Sequence, residues 1–349
     1  MKVDFVTDFR QLVFWAARMA LHCAVFFSTL APAGLCAESH AKVQSYPAVV
    51  EGRDGWLFLG AELHFLGVEK FWGGGQSKGK GTIPNKGPGA PLPAIVDFDR
   101  QLKAMGVRLI VLPVPPKAWW SKHAPQGGRS GVKADSLGGF YSELGAQGVE
   151  VLDLRPVFTS REAAGESMYC KTDSHWSGRG CVVAAQAVAE RLDSLRQAAG
   201  PALKERWKDC SIKGDLVEML PVKARKPGDE QVSMREISDD QGNGLANNPE
   251  SPLLLLGDSH TLVFREFQGE RSGLADQLAF ETGTFPDVIG TRGSGANAVR
   301  VSLFRRNLKD SSYLASKKVL VWCFAAREFT EADQGWQVIP LTRSEEQAK

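Results

Sequence analysis

The stretch Leu253-Leu254-Leu255-Leu256-Gly257-Asp258-Ser259-His260 decides the fold. Four consecutive leucines leave no polar side for water, as a strand buried on both faces of a parallel sheet requires. Gly257 and Asp258 then read as a turn, with Asp258 capping the next helix. A serine at that point stands at the carboxyl rim of the sheet, where α/β proteins bind ligands. A serine hydroxyl becomes a nucleophile when a histidine takes its proton and a carboxylate orients that histidine. Upstream, Asp173-Ser174-His175-Trp176 supplies both partners two residues apart. Ser259, His175 and Asp173 therefore form a candidate triad. Each motif has a plainer reading, as a turn or as an N-cap before a helix near Gly178; the pair together points to catalysis.

The rest of the chain fits around that strand. A helix is predicted over Leu92 to Met105, with Ile95, Phe98, Leu102 and Met105 at helical spacing. Val107 to Val114 follows as a continuous apolar strand. A helix over Leu137 to Ala146 leads to a strand at Val149 to Leu154, and the Asp-x-His motif opens a long helix from Arg179 to Ala198. Val319 to Phe324 reads as one more strand. Helices alternating with short apolar strands indicate an α/β fold with a mainly parallel sheet flanked by helices. Val49 to Phe71 alternates around Gly52 and Gly55 and suggests a hairpin. Residues 73–93, rich in Gly, Lys and Pro, are expected as a mobile loop, and the polar residues 221–251 as an irregular lid or insertion. Gly74 through Gly81 nearly matches a phosphate-binding loop, but Gly81 replaces the required hydroxyl residue and no strand precedes it, so a nucleotide site is rejected.

Residues 1–37 read as a signal peptide or an uncleaved signal anchor. Lys2 and Arg10 precede an apolar stretch from Leu12 to about Ala33, with small residues near Ala37, although Asp4, Asp8, Arg18 and His22 are unusual there. Residues 38–349 are expected as one domain. Export places that domain in an oxidising compartment. Of the six cysteines, Cys170, Cys181, Cys210 and Cys323 lie beyond the leader. They allow three full pairings, and Cys170 with Cys181 would brace the Asp-x-His loop. No Cys-x-x-Cys spacing supports zinc, and no metal is expected. The net charge of +2 argues against nucleic acid as a partner.

Gly-Asp-Ser after a strand resembles the first block of the SGNH, or GDSL, hydrolase superfamily. The serine here follows the Asp-x-His pair, the reverse of the usual order. That permuted order, with Thr172-Asp173-Ser174-His175-Trp176, resembles the alginate O-acetyltransferase family of AlgJ and AlgX. Asp54-Gly55-Trp56-Leu57-Phe58-Leu59, Val107 to Lys117, and Val321-Trp322 with Arg327-Glu328 are similar as well. The likeness runs from about residue 50 to about residue 330. The usual blocks supplying an oxyanion-hole glycine and asparagine are not recognisable, and the chain ends without room for a module after the domain.

The resemblance implies a periplasmic enzyme moving acetyl groups through a serine ester to hydroxyls of an exopolysaccharide, alginate or a similar polymer. It also implies a membrane-bound O-acyltransferase partner that delivers the acetyl group, so that no cofactor is needed. Its catalytic residues carry over onto Asp173, His175 and Ser259. Among further candidates, the Ser259 N–H and the Gly293-to-Asn297 loop, through Gly295 and Asn297, would stabilise an oxyanion. Arg300 and Arg327 would bind polymer carboxylates or form buried ion pairs. Trp176 and Trp119-Trp120 would stack on sugars or pack in the core. His260 and Ser174 mimic triad members but are expected to lack a partner at the right spacing. A periplasmic carbohydrate esterase needs the same triad, and a non-catalytic polysaccharide-binding assembly protein needs none of it.

Overall fold

The computed structural model describes residues 46–342, except residues 69, 74–88, 121, 126–134, 193–194, 196–201, 226–227 and 294. The leader, 1–37, and most of the loop expected at 73–93 lie outside the described residues. Residues 91–93 of that loop belong to a helix. Among the described residues no helix is long and apolar enough to cross a membrane.

In chain order, β1 (Val49–Glu51) and β2 (Leu57–Leu59) form an antiparallel hairpin that leads into α1 (Gly60–Leu66). The next helix, α2 (Pro91–Ala104), starts with proline in its first turn, where the missing N–H costs nothing. It precedes β3 (Arg108–Val114), α3 (Ser136–Ala146), β4 (Glu150–Val151), α4 (Arg155–Ala163) and α5 (Gly178–Ala189). Then come β5 (Lys204–Ile212), α6 (Asp215–Met219), β6 (Glu230–Ser238), β7 (Leu253–Gly257), α7 (Ser259–Leu262) and α8 (Leu274–Thr282). The chain closes with β8 (Asp287–Gly290), α9 (Gly295–Lys309), β9 (Val319–Ala325) and α10 (Glu328–Glu331).

Five of these strands form one parallel sheet in the order β4-β3-β9-β7-β8. The four leucines of β7 explain its central place. Leu254 and Leu256 pack on one face with Ile95, Phe98, Leu102, Val299 and Leu303 from α2 and α9. Leu253 and Leu255 pack on the other with Val183, Val188, Leu274 and Leu278 from α5 and α8. All four are fully buried. This is the two-faced burial that their continuous apolar run requires.

Three expectations are corrected. Residues 221–251 are not irregular throughout, because β6 pairs with β5 in an antiparallel ladder from Lys204↔Ser238 to Ile212↔Glu230. Val232, Met234 and Ile237 of β6 are buried, while β5 is largely exposed. Cross-strand ion pairs from Arg206 and Lys208 to Glu236 join the two, at 2.6 and 3.2 Å. The helix predicted to reach Ala198 ends at Ala189. Cys170 and Cys181 are not paired, and Cys170, Cys181, Cys210 and Cys323 are all free thiols. The Cys170 thiol faces the Trp176 carbonyl at 3.4 Å, and the Cys181 thiol faces the Ser272 carbonyl at 3.7 Å. Burial pushes both thiols up in pKa.

Candidate active site

Strand β7 ends at Gly257, Asp258 caps α7 by accepting a hydrogen bond from the His260 N–H, and Ser259 is the first residue of that helix. Asp173 and His175 lie on a loop closed by short backbone contacts. The Cys170 N–H donates to the His175 carbonyl at 3.2 Å, and the Ser177 N–H to the Met168 carbonyl at 2.9 Å. Asp173 Oδ1 accepts the His175 backbone N–H at 2.9 Å, a turn that short acidic side chains favour. The same Oδ1 lies 2.6 Å from His175 Nδ1, and His175 Nε2 lies 2.8 Å from Ser259 Oγ. The two motifs, 84 residues apart in the chain, thus form one continuous relay. Asp173, His175 and Ser259 are 1, 4 and 9 % exposed, so the serine is the member nearest solvent.

Electrostatics fix the direction of that relay. Burial raises the pKa of Asp173, but hydrogen bonds from His175 and from the Asp215 N–H lower it further, so the net shift is downward. Its Oδ2 accepts from the Asp215 N–H at 3.0 Å and from Gln268 Nε2 at 3.3 Å. An ionised carboxylate only accepts, so Nδ1 of His175 carries the proton and Nε2 is left to accept from Ser259. Burial pulls the pKa of His175 down, yet the hydrogen bond and charge of Asp173, with the charges of Asp215 and Asp258, raise it overall.

A second buried pair lies beside the first. Asp258 Oδ1 is 3.2 Å from His260 Nδ1, and Asp258 Oδ2 accepts the Ala325 N–H at 2.7 Å, tying the serine turn to the end of β9. His260 therefore has a partner, contrary to expectation. Its ring packs 4.8 Å from that of His175. Burial, assisted by the positive charge on His175 and Arg327, holds the His260 pKa below its usual value despite Asp258. Ser174 also has a partner. Its Oγ donates to Asp215 Oδ2 at 2.5 Å and its N–H to Asp215 Oδ1 at 2.7 Å.

The remaining candidates separate into those brought to the serine and those held elsewhere. Gly295 is brought there. A Cβ on it would lie 2.9 Å from Cα and Cβ of Asp258, so only glycine lets the first turn of α9 reach the nucleophile turn. Asn297 is buried, with Oδ1 accepting from Arg300 and Nδ2 without a partner. Arg300 is corrected. It is 1 % exposed, faces the rings of Phe98, Trp322 and Trp336, and donates to the Gln337 carbonyl at 2.7 Å. Of the two readings of Arg327, the structure has the ion pair: it lies 3.2 Å from Glu62 in a largely buried pair. Trp176 is fully buried and packs perpendicular to the His260 ring, so it offers no face to a sugar. Trp119 and Trp120 remain partly exposed.

Two residues were missed by sequence reasoning. Asp215 Oδ2 stands 3.8 Å from His175 Nδ1. Lys117 is buried and donates from Nζ to the carbonyls of Leu57, Lys171 and Asp173 at 2.7, 2.9 and 3.1 Å. Asp215 sits in no motif, and Lys117 ends the stretch Val107 to Lys117 with nothing local to mark its contacts. Asp173, His175 and Asp215 present ligand atoms within 4.8 Å of one another. Both imidazole nitrogens are already committed to Asp173 and Ser259, however, so a metal there would have to break the relay.

Comparison with known proteins agrees with this architecture. A family model described as ALGX, the SGNH hydrolase-like domain of acetyltransferase AlgX, matches residues 49–325. The protein named "Probable alginate O-acetylase AlgJ" in Pseudomonas fluorescens is 24% identical over 229 residues, covering 62% of this chain and 54% of that one. Its Pseudomonas putida namesake is likewise 24% identical over 229 residues, covering 62% and 55%. The chain thus spans about half the length of the curated relatives it matches. Among solved structures, the O-acetyltransferase domain of Pseudomonas putida AlgJ superposes with a TM-score of 0.62 at 22% identity, over 81% of this chain and 93% of that one. Pseudomonas aeruginosa AlgX gives 0.57 at 18% identity, over 79% and 61%. These likenesses establish a shared fold. With its family match running from the first hairpin to the last sheet strand, the chain belongs to the AlgX-type family of SGNH hydrolase-like acetyltransferase domains.

Proposed function

We propose that this protein is an O-acetyltransferase that moves an acetyl group through Ser259 to hydroxyls of an exopolysaccharide, alginate or a similar polymer. The observation that carries the reading is the buried relay from Asp173 through His175 to Ser259 at the carboxyl rim of the sheet. Ser259 Oγ attacks the acetyl carbonyl carbon while its proton passes to His175 Nε2. The imidazolium, held by Asp173, returns that proton to the leaving group as the donor bond breaks. A sugar hydroxyl then gives its proton to Nε2, attacks the acetyl-serine, and the released Ser259 oxygen takes the proton back. The N–H groups of Ser259 and of Gly295, at the starts of α7 and α9, are the oxyanion donors in this scheme.

Family membership supports an acyl-transfer role, and the names of the relatives support an alginate-like acceptor. In this reading residues 1–37 direct export to the periplasm, and a membrane-bound O-acyltransferase supplies the acetyl group without a cofactor. The test offers the purified protein an activated acetyl ester, with and without oligosaccharides, and follows products by mass spectrometry. Acetylated oligosaccharide that disappears in Ser259→Ala is the expected result. Serine-dependent acetate with no transfer to any acceptor makes the protein an esterase. No serine-dependent product leaves a binding role.

A further inference from the structure

The rim of the active site carries a cation that no carboxylate among the described residues neutralises. Arg292 is exposed on the turn after β8, with its guanidinium 4.0 Å from the ring centroid of Phe267. Phe267 in turn packs edge-on against His175, with ring centroids 5.6 Å apart. Among the described residues no carboxylate pairs with Arg292. Arg265, Arg306 and Arg327, by contrast, pair with Asp276, Asp287 and Glu62.

The turn is also fixed to the nucleophile. The Thr291 N–H donates to the Gly257 carbonyl at 3.0 Å, and Gly295 packs against Asp258. Phe267 is held by its carbonyl, which accepts the Phe264 N–H at 2.8 Å. The guanidinium thus stands two ring contacts from the general base, on a rigid support. A planar, permanently charged fork stacked on an aromatic ring keeps its N–H edges free for a planar oxyanion.

We propose that Arg292, seated on Phe267, anchors a carboxylate of the acyl acceptor while the hydroxyl to be acetylated lies at His175 Nε2. The proposal rests on the transferase reading for its catalytic consequence, but not for the binding itself. The acceptor is then an acidic saccharide, with its carboxylate on the reacting sugar or on the adjacent one.

Two acceptors separate this role from a structural one: an oligouronate and the same oligomer with its carboxylates reduced to alcohols. The full chain and its Arg292→Gln and Arg292→Lys variants are compared by the ratio of kcat/KM for the two acceptors, with an activated acetyl ester as donor. The ratio is expected to fall about tenfold in R292Q, the loss of one charge-assisted contact, and by less in R292K. An unchanged ratio overturns the proposal, whatever happens to the overall rate. Oligouronate binding without donor is measured in parallel by calorimetry, where R292Q is expected to bind about tenfold more weakly. Should the parent protein transfer to neither acceptor, the transferase reading fails, and the titration still decides the anchor. Equal affinity in R292Q and the parent, or no binding by either, overturns it.

Discussion

In the proposed reaction His175 acts as a base only when Nε2 is free of its second proton. The activity should therefore rise with pH through the pKa of His175, which its carboxylate neighbours hold above the ordinary 6.5. The acid limb of kcat/KM is expected above pH 6.5, measured by serine-dependent hydrolysis of an activated acetyl ester. Asp215 is one of the charges that raise it. Asp215→Asn should move the limb to lower pH, and by a small amount, because the Asp215 side chain is 37 % exposed and screened by water. A limb that stays in place would remove Asp215 from the electrostatics of the base. Asp173→Asn should cost far more, about 10³- to 10⁴-fold in kcat, since an amide favours the wrong imidazole tautomer. The sequence made Asp173, His175 and Ser259 legible because two short motifs held them. Asp215 was not legible, because it reaches the imidazole from α6, 40 residues beyond His175.

Between elements, the Asp-x-His loop depends on contacts from outside its own motif. Lys117 follows β3 and ties β2 to the Asp-x-His loop through three carbonyls. Burial lowers its pKa to about 8, so the ammonium keeps its proton at pH 7. Lys117→Met should destabilise the fold by about 2–4 kcal/mol in urea unfolding at pH 7, since it removes a charged donor from three carbonyls, of which that of Lys171 keeps the Leu57 N–H. An unchanged midpoint would show that water replaces the ammonium. Helix α9 meets the serine turn through Gly295. Gly295→Ala would press a methyl group onto Asp258 and should lower kcat by at least about tenfold through displaced oxyanion donors. Unaltered kcat in this variant would exclude the first turn of α9 from the reaction. A glycine in sequence signals a turn or a close approach without naming the partner, so the Gly295 contact became visible only in the fold.

Across the whole molecule, Ala41–Lys349 group as one compact unit in which three of the four described cysteines are buried in the core. Alkylation of the unreduced native chain, followed by peptide mapping, should label Cys210 first, and Cys170, Cys181 and Cys323 only after denaturation. A disulfide-linked peptide joining Cys170 to Cys181 would contradict this arrangement. An even count of cysteines beyond the expected leader suggested pairing. The two thiols instead enter the same apolar layer on different backbone acceptors, and composition cannot register that.

Period and continuity of apolar residues, as in Leu253 to Leu256 and Val319 to Phe324, determined the strands, because a strand buried on both faces admits no polar position. Steric and hydrogen-bonding demands local to a few residues made the serine turn and the Asp-x-His loop recognisable. The same local logic failed for β5 and β6, whose charged residues are held by a long ladder and cross-strand ion pairs rather than by alternation. It left two readings open for Arg300, Arg327 and Trp176, because an arginine or tryptophan looks alike in sequence whether it faces a polymer or the core. Burial is a property of what packs around a side chain. Only the tertiary structure could place those three in the interior and bring Ser259 to within 2.8 Å of His175.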